Sequence, residues 1–202
     1  MTRVIKPIGV FNEILMDVLV YETQYDLMYA LARFQEFHEN PLLHGQVFSR
    51  QKLQTWQHDY YIRWNGCNFP ATVVEAMRGN PDAWQFDGHE LEALRHMRPD
   101  MYIVGLHLKS DFRNVLLHER AHALYASKPS YRNMVHDVIR EESEKEAFNK
   151  LRDMGYGDNV LHDEYQAYTV HGWEEKLPGI PVDLKLRNHI RRYYGDLLLL
   201  ED

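Results

Sequence analysis

His118-Glu119-Arg120-Ala121-His122 places two imidazoles four residues apart with a carboxylate between them. On an α-helix, residues at that spacing share a face, so both rings can reach one ion while Glu119 stays near enough to work on a bound water. Zinc held by three protein ligands keeps a fourth position open and lowers the pKa of a water there towards about 7, where a neighbouring carboxylate can take its proton. Five residues therefore supply two ligands and a general base, and the chemistry they point to is zinc-dependent hydrolysis. With 12 histidines in the chain, so short a pattern draws its weight from context. Here a β-like segment runs straight into a capped helix, and small Ala121 and Ala123 flank the motif where close packing is needed.

A third ligand must come from elsewhere. The longer pattern with Gly three residues and His six residues beyond His122 is excluded, because Tyr125 and Lys128 stand at those positions. Farther on, His162-Asp163-Glu164-Tyr165-Gln166-Ala167-Tyr168 reads as helix, with Glu164, Tyr168 and His171 on one face at i, i+4 and i+7. Glu164 is the preferred ligand; Asp163, His162 and Asp158 are the alternatives. Tyr168 or His171 would stabilise the oxyanion formed when water attacks a carbonyl, the alternative being that Tyr165 and Tyr168 are core aromatics.

HERAHALY (118–125) followed by DEYQAY (163–168) resembles the zincin metallopeptidases, and more narrowly the gluzincin arrangement of two histidines on one helix and a glutamate on a later one. The resemblance covers residues 101 to 171. It implies a zincin-like fold, His118, His122 and Glu164 as zinc ligands, Glu119 as general base, and a peptide or protein as substrate. Two departures qualify it. Thermolysin-like enzymes place the glutamate much nearer in sequence than Glu164 lies to His122, and Tyr168 replaces a second acid that they often use. In the front half, RFQEFHENP (33–41) and WNGCNFP (64–70) resemble small uncharacterised bacterial proteins with a similar back half, and that resemblance carries no activity.

Two histidines and a carboxylate also suit non-haem iron, but those sites usually sit on β-barrels, whereas H-E-x-x-H on a helix is a hydrolase arrangement. A di-iron carboxylate bundle needs two Glu-x-x-His units, and Glu119 to His122 is the only one in the chain. His136-Asp137 and His162-Asp163 raise a metal phosphohydrolase, although chance supplies about one such dipeptide at this composition. The non-enzymatic alternative is a binding protein whose metal only staples helices, which the intact Glu119 disfavours.

The elements that must hold these residues read as an α+β front half, then a strand, then several helices. Residues 8 to 21 read as one or two strands without a clean period. Thr23 caps a helix to about His38 that ends at Asn40-Pro41, and Ser49 caps a short helix through Trp56. His58 to Trp64 reads as β-rich and stopped by Asn65-Gly66. Pro70 opens a short helix ending near Gly79, and Asp87 with Glu90 forms a capping box for the next. Met101 to Leu108 is a strand. Ser110 or Asp111 caps the histidine helix, which stops at Lys128-Pro129; Ser130 caps one running to about Gly155, and two more span Asn159 to Val170 and Val182 to Tyr194. The expected fold is a small sheet packed on a mainly helical C-terminal half, a single zincin-like domain over 1–202 with an α+β part (1–100) and a metal-binding part (101–202).

Net charge of −7 speaks against a nucleic-acid partner, and the basic run from Lys185 to Arg192 reads as a solvated helix face. Asn12, Glu13 and Asp17 interrupt the N-terminal apolar stretch, so no signal peptide is expected, nor any membrane span. Cys67 is the sole cysteine, which favours a reducing, cytoplasmic setting. Arg33 and Glu36 are expected in an internal salt bridge, and Trp56, Trp64, Trp84 and Trp173 in the core before a cleft. Oligomeric state is not set by the sequence.

Overall fold

Three short apolar runs pair into one mixed sheet. The computed structural model describes residues 16–56, 64–79, 85–139 and 145–171, together with 185, 188, 189 and 192. In it β1 (Met16–Tyr21), β2 (Gly66–Pro70) and β3 (Tyr102–His107) lie in the order β1-β3-β2. β1 runs parallel to β3 with Met16 opposite Tyr102, and β2 runs antiparallel to it with Cys67 opposite Gly105. Every residue of β1 and β3 is buried. Strands covered on both faces lose amphipathic alternation, which accounts for the missing period in the sequence.

Alternate residues are shared between two layers. Leu19, Tyr21, Cys67, Phe69 and Ile103 pack with α1 (Gln24–Glu39), α2 (Arg50–Trp56), α3 (Thr72–Arg78) and α4 (Gly88–Leu94). Val18, Val20, Val104 and Leu106 face the other way, into a core shared by α5 (Phe112–Ser127), α6 (Pro129–Val138), α7 (Lys145–Asp153) and α8 (Leu161–His171). This is the expected α+β arrangement, a small sheet with a mostly helical C-terminal half. Among the described residues no helix is long and apolar enough to cross a membrane.

Local chemistry sets the ends of the two longest helices. Thr23 Oγ1 accepts from the Asp26 N–H at 3.1 Å to start α1, and Asn40 caps its end before Pro41. Asp111 accepts from the Asn114 N–H to start α5, which closes at Lys128 before Pro129. The Asp87 and Glu90 capping box is present at α4.

Elsewhere the boundaries differ from expectation. Pro70 ends β2 instead of opening a helix, and α3 starts at Thr72. The Asn65-Gly66 stop signal falls on the start of that strand, which at 5 residues is too short to announce itself by period. Pro129 takes the first position of α6 behind Lys128, so Ser130 is not the cap. α6 stops at Val138, and α7 is a separate helix rather than its continuation towards Gly155. Of the expected strand over 8 to 21, residues 8–15 lie outside the described residues, as do 58–63 and, apart from four helical positions, the last helix.

Arg33 does form a buried salt bridge, but to Glu90 on α4. Nε and Nη2 reach the two carboxylate oxygens at 2.6 Å each, while Glu36 accepts from Asn40 one turn on.

Candidate metal centre

α5 and α8 pack side by side on the α5 face of the sheet, and their facing surfaces bring three ligand atoms together. His118 Nε2 and His122 Nε2 stand 3.2 Å apart. Glu164, from the first turn of α8, puts Oε2 3.8 Å from His118 Nε2 and Oε1 3.7 Å from His122 Nε2. Among the described residues this is the group of three whose ligand atoms, all within 4.8 Å of one another, suit a metal ion. Glu164 Oε2 is buried and meets no hydrogen-bond donor. Tetrahedral ligands about 2.0–2.1 Å from zinc lie roughly 3.3 Å from each other, so small side-chain adjustments would close this set on an ion. Two imidazoles and a carboxylate, one of whose buried oxygens has no hydrogen-bond donor, fit a divalent transition metal.

The alternative third ligands are engaged elsewhere. Asp163 turns to the far side of His122, with Oδ1 2.9 Å from Nδ1, and also accepts from Gln166 Nε2 at 2.9 Å. A proton on Nδ1 facing that carboxylate leaves the Nε2 lone pair for an ion, the arrangement by which an outer carboxylate orients a metal-bound histidine. The His162 ring packs 4.4 Å from the His136 ring, and His136 Nε2 meets the Tyr125 hydroxyl at 2.8 Å. Asp158 pairs with Arg152 at 2.7 Å. The two His-Asp dipeptides therefore build no second cluster of ligands among the described residues.

Glu119 is 5% exposed and lies beside this group, positioned by β2. Period-2 alternation turns Cys67 and Phe69 to the α1 layer and Gly66 and Asn68 to α5. Asn68 Nδ2 donates to Glu119 Oε2 at 2.7 Å, and the Tyr102 hydroxyl donates to Asn68 Oδ1. Because a carboxylate only accepts, this chain fixes which way the Asn68 amide points. Gly66 is required on the other side: a Cβ there would stand 2.3 Å from Glu119 Oε1.

These groups line a cleft of about 340 Å³, together with Gln35, Glu39, Trp64, Tyr156 and Tyr168. The Tyr168 ring meets the His118 ring edge-on at 4.8 Å, and its hydroxyl stands 3.1 Å from that of Tyr156. His171 ends α8; its side chain lies outside the described residues, as do those of Trp56, Trp84 and Trp173. Half-buried Trp64 is at the cleft.

Electrostatics follow from crowding acids in a desolvated space. Burial pushes Glu164 up to about 8, against the pull of His122, with repulsion from Asp163 and Glu119 adding to the rise. Glu39 goes well above the usual carboxylate range through burial and the charge of Glu164. Burial alone would lower His122, but Asp163 and Glu164 outweigh it and hold the imidazole well above its ordinary value. A cation among these groups reverses all three shifts. Burial, then the charge of Glu164, raises Tyr168 too, so its phenol keeps its proton at neutral pH.

Sequence reasoning did not find Asn68, Tyr102, Tyr156, Gln35 or Glu39, and it counted Asp163 only as a rival ligand. The signal for Asn68 was its parity with Gly66 in a strand; for Glu39 it was the i, i+4 spacing from Gln35 on α1. Comparison with known protein families, curated proteins and solved structures finds no match for this chain.

Proposed function

We propose that this protein is a metal-dependent hydrolase, with zinc as the ion and a peptide bond as the target. What supports this is the convergence of the His118, His122 and Glu164 ligand atoms in the cleft that Glu119 also lines. Three protein ligands of this type leave a position open, as in catalytic rather than structural sites. A bound zinc ion would supply Lewis acidity and a water of lowered pKa. Glu119, its carboxylate anchored by Asn68, takes a proton from the attacking water and returns it to the departing amine. Tyr168 keeps its phenolic proton and donates a hydrogen bond to the oxyanion. Peptide as substrate follows from the likeness of HERAHALY and DEYQAY to the gluzincins, and the buried lone thiol of Cys67 supports a cytoplasmic setting.

The test begins with metal content, followed by turnover of a peptide library by two variants. Glu119→Gln should keep the metal and lose about 10²–10⁴-fold in rate, the usual weight of a general base. His118→Ala should lose both metal and turnover. A Glu119→Gln protein with full activity would sink the assignment. A metal-loaded protein that cuts no peptide, and that chelator merely destabilises, would instead be a metal-stapled binding scaffold.

A further inference from the structure

The α1 wall of the cleft carries two acceptors that the hydrolytic chemistry does not use. Gln35 and Glu39 sit one turn apart, and both line the cleft. Gln35 Nε2 donates to Glu39 Oε2 at 3.1 Å. The opposite amide orientation would set oxygen against oxygen, so this contact fixes the direction of Gln35 Oε1. That oxygen is buried, belongs to a side chain only 7% exposed, and meets no donor. A half-buried carboxylate and a buried carbonyl oxygen thus stand together as acceptors in the wall.

Charge points to the same kind of ligand. Glu119 and Glu164 match the two charges of a divalent ion. Glu39 remains, with exposed Asp153 at the rim, and among the described residues no Lys or Arg lines the cleft to answer them. An orphaned buried acceptor beside surplus negative charge selects a donor-rich cation over a neutral group.

We propose that Gln35 and Glu39 form a recognition subsite for a cationic group of the substrate, an ammonium or guanidinium. It rests on the hydrolase reading for the word substrate, but not for the binding. Glu39 accepts the charged hydrogen bond, and Gln35 both holds the Glu39 carboxylate and offers Oε1 to a second N–H of the same group. The cation has two sources in a peptide, the free amino terminus and a basic side chain.

Three probes separate the outcomes when titrated into metal-loaded protein and followed by calorimetry: alaninamide, N-acetyl-lysinamide and neutral N-acetyl-alaninamide. One cationic probe should bind at least tenfold tighter than the neutral one, and which of the two does so identifies the source. Glu39→Gln should erase that preference while changing metal affinity less than tenfold and leaving the fold intact by circular dichroism. Gln35→Met, which keeps the side-chain length and removes the acceptor, should reduce the preference severalfold. Equal binding of all three probes, or a preference that survives Glu39→Gln, overturns the subsite. A tenfold loss of metal affinity in Glu39→Gln also overturns it, by making Glu39 a ligand. Cation preference without any peptide cleavage would leave the subsite standing and remove the hydrolase, whereas cleavage without preference would do the reverse.

Discussion

On the α1 side of the sheet, the Arg33 guanidinium gives every nitrogen a partner. Nε and Nη2 take the two oxygens of Glu90, Nη1 reaches the Phe48 carbonyl at 3.1 Å, and Nη2 also reaches the Gln85 carbonyl at 2.9 Å. Glu90 Oε2 accepts in addition from the Asp87 N–H. On the α5 side, His122 and Glu164 lie just as deep and His118 is half-buried, yet they bring lone pairs together and leave a buried Glu164 oxygen with no donor. Burying charge is costly in both places; Arg33 and Glu90 offset that cost with a two-point pair, although Arg50 beside them leaves Nε and Nη1 without a hydrogen-bond partner. What separates the two is convergence: on the α5 side three ligand atoms point at one space, whereas Arg33 and Glu90 point at each other.

The comparison breaks most readily at its two glutamates. Glu119→Gln is expected to abolish turnover without unfolding, and Glu90→Gln should do the opposite. Removing one partner of a buried pair costs about 3–5 kcal/mol. At about 2–4 °C per kcal/mol this lowers the melting temperature by roughly 10 °C, with metal content unchanged in the molecules that remain folded. If Glu90→Gln melts like the wild type, the pair does not hold structure.

Asp163→Asn tests whether the convergent cluster is oriented from outside. Loss of the carboxylate facing His122 Nδ1 should weaken metal affinity about 10–100-fold while circular dichroism stays unchanged. Undiminished affinity would reduce Asp163 to a bystander.

Two glycines sharpen the contrast further. A Cβ at Gly105 would lie 2.2 Å from Leu31 Cδ1 and 2.7 Å from Leu27 Cδ1, on the α1 face. Gly105→Ala should therefore cost about 1–3 kcal/mol in denaturant titration, with turnover per folded molecule intact. At Gly66 the nearest neighbours are the Glu119 carboxylate, at 2.3 Å, and Val115 Cγ1, at 2.8 Å. Gly66→Ala should cost less stability but push that carboxylate off Asn68, reducing kcat about tenfold at unchanged metal affinity. Equal effects of the two substitutions on kcat would erase the distinction between the faces.

The smallest effect is a pH slope. In metal-free protein Glu164 titrates near 8 rather than 4.5, so between those values the folded chain retains a proton that the unfolded chain has released. Stability must therefore fall as pH rises from about 4.5 to about 8. His122 acts in the same direction, since the stabilisation of its charged form is complete below the ordinary 6.5 and fades as pH passes its raised value. Melting curves with chelator should show this slope, and excess zinc should flatten it. A metal-free protein that grows more stable over that range contradicts the site's electrostatics.

Legibility of these features in the sequence tracks how local they are. The i, i+4 histidines, the helix face carrying Glu164, the caps at Thr23 and Asp111, and the Asp87 box all depend on neighbours within a turn or two, and the structure has each of them. The partner of Arg33 was misjudged because Glu36 is near in sequence while Glu90 is near only in space. β2 was hidden because its 5 residues start on a turn signal and end in proline. Asn68 could not be connected to Glu119 before the strand was known, for its role comes from parity in the sheet. Gln35 and Glu39 looked like the polar side of an ordinary helix until α5 and α8 were seen to supply the rest of the cleft.

The strand order has a consequence for assembly. β3 is the middle strand and the last of the three in the chain, so among the described residues neither β1 nor β2 has a strand partner until it is made. Everything from Gln24 to Met101 is thus held in one large closed loop when Met16 meets Tyr102, a non-local contact that slows folding. The histidine helix follows within a few residues of that closure, but Glu164 arrives only on α8, after α6 and α7. The full ligand set therefore exists only once α8 has docked on α5.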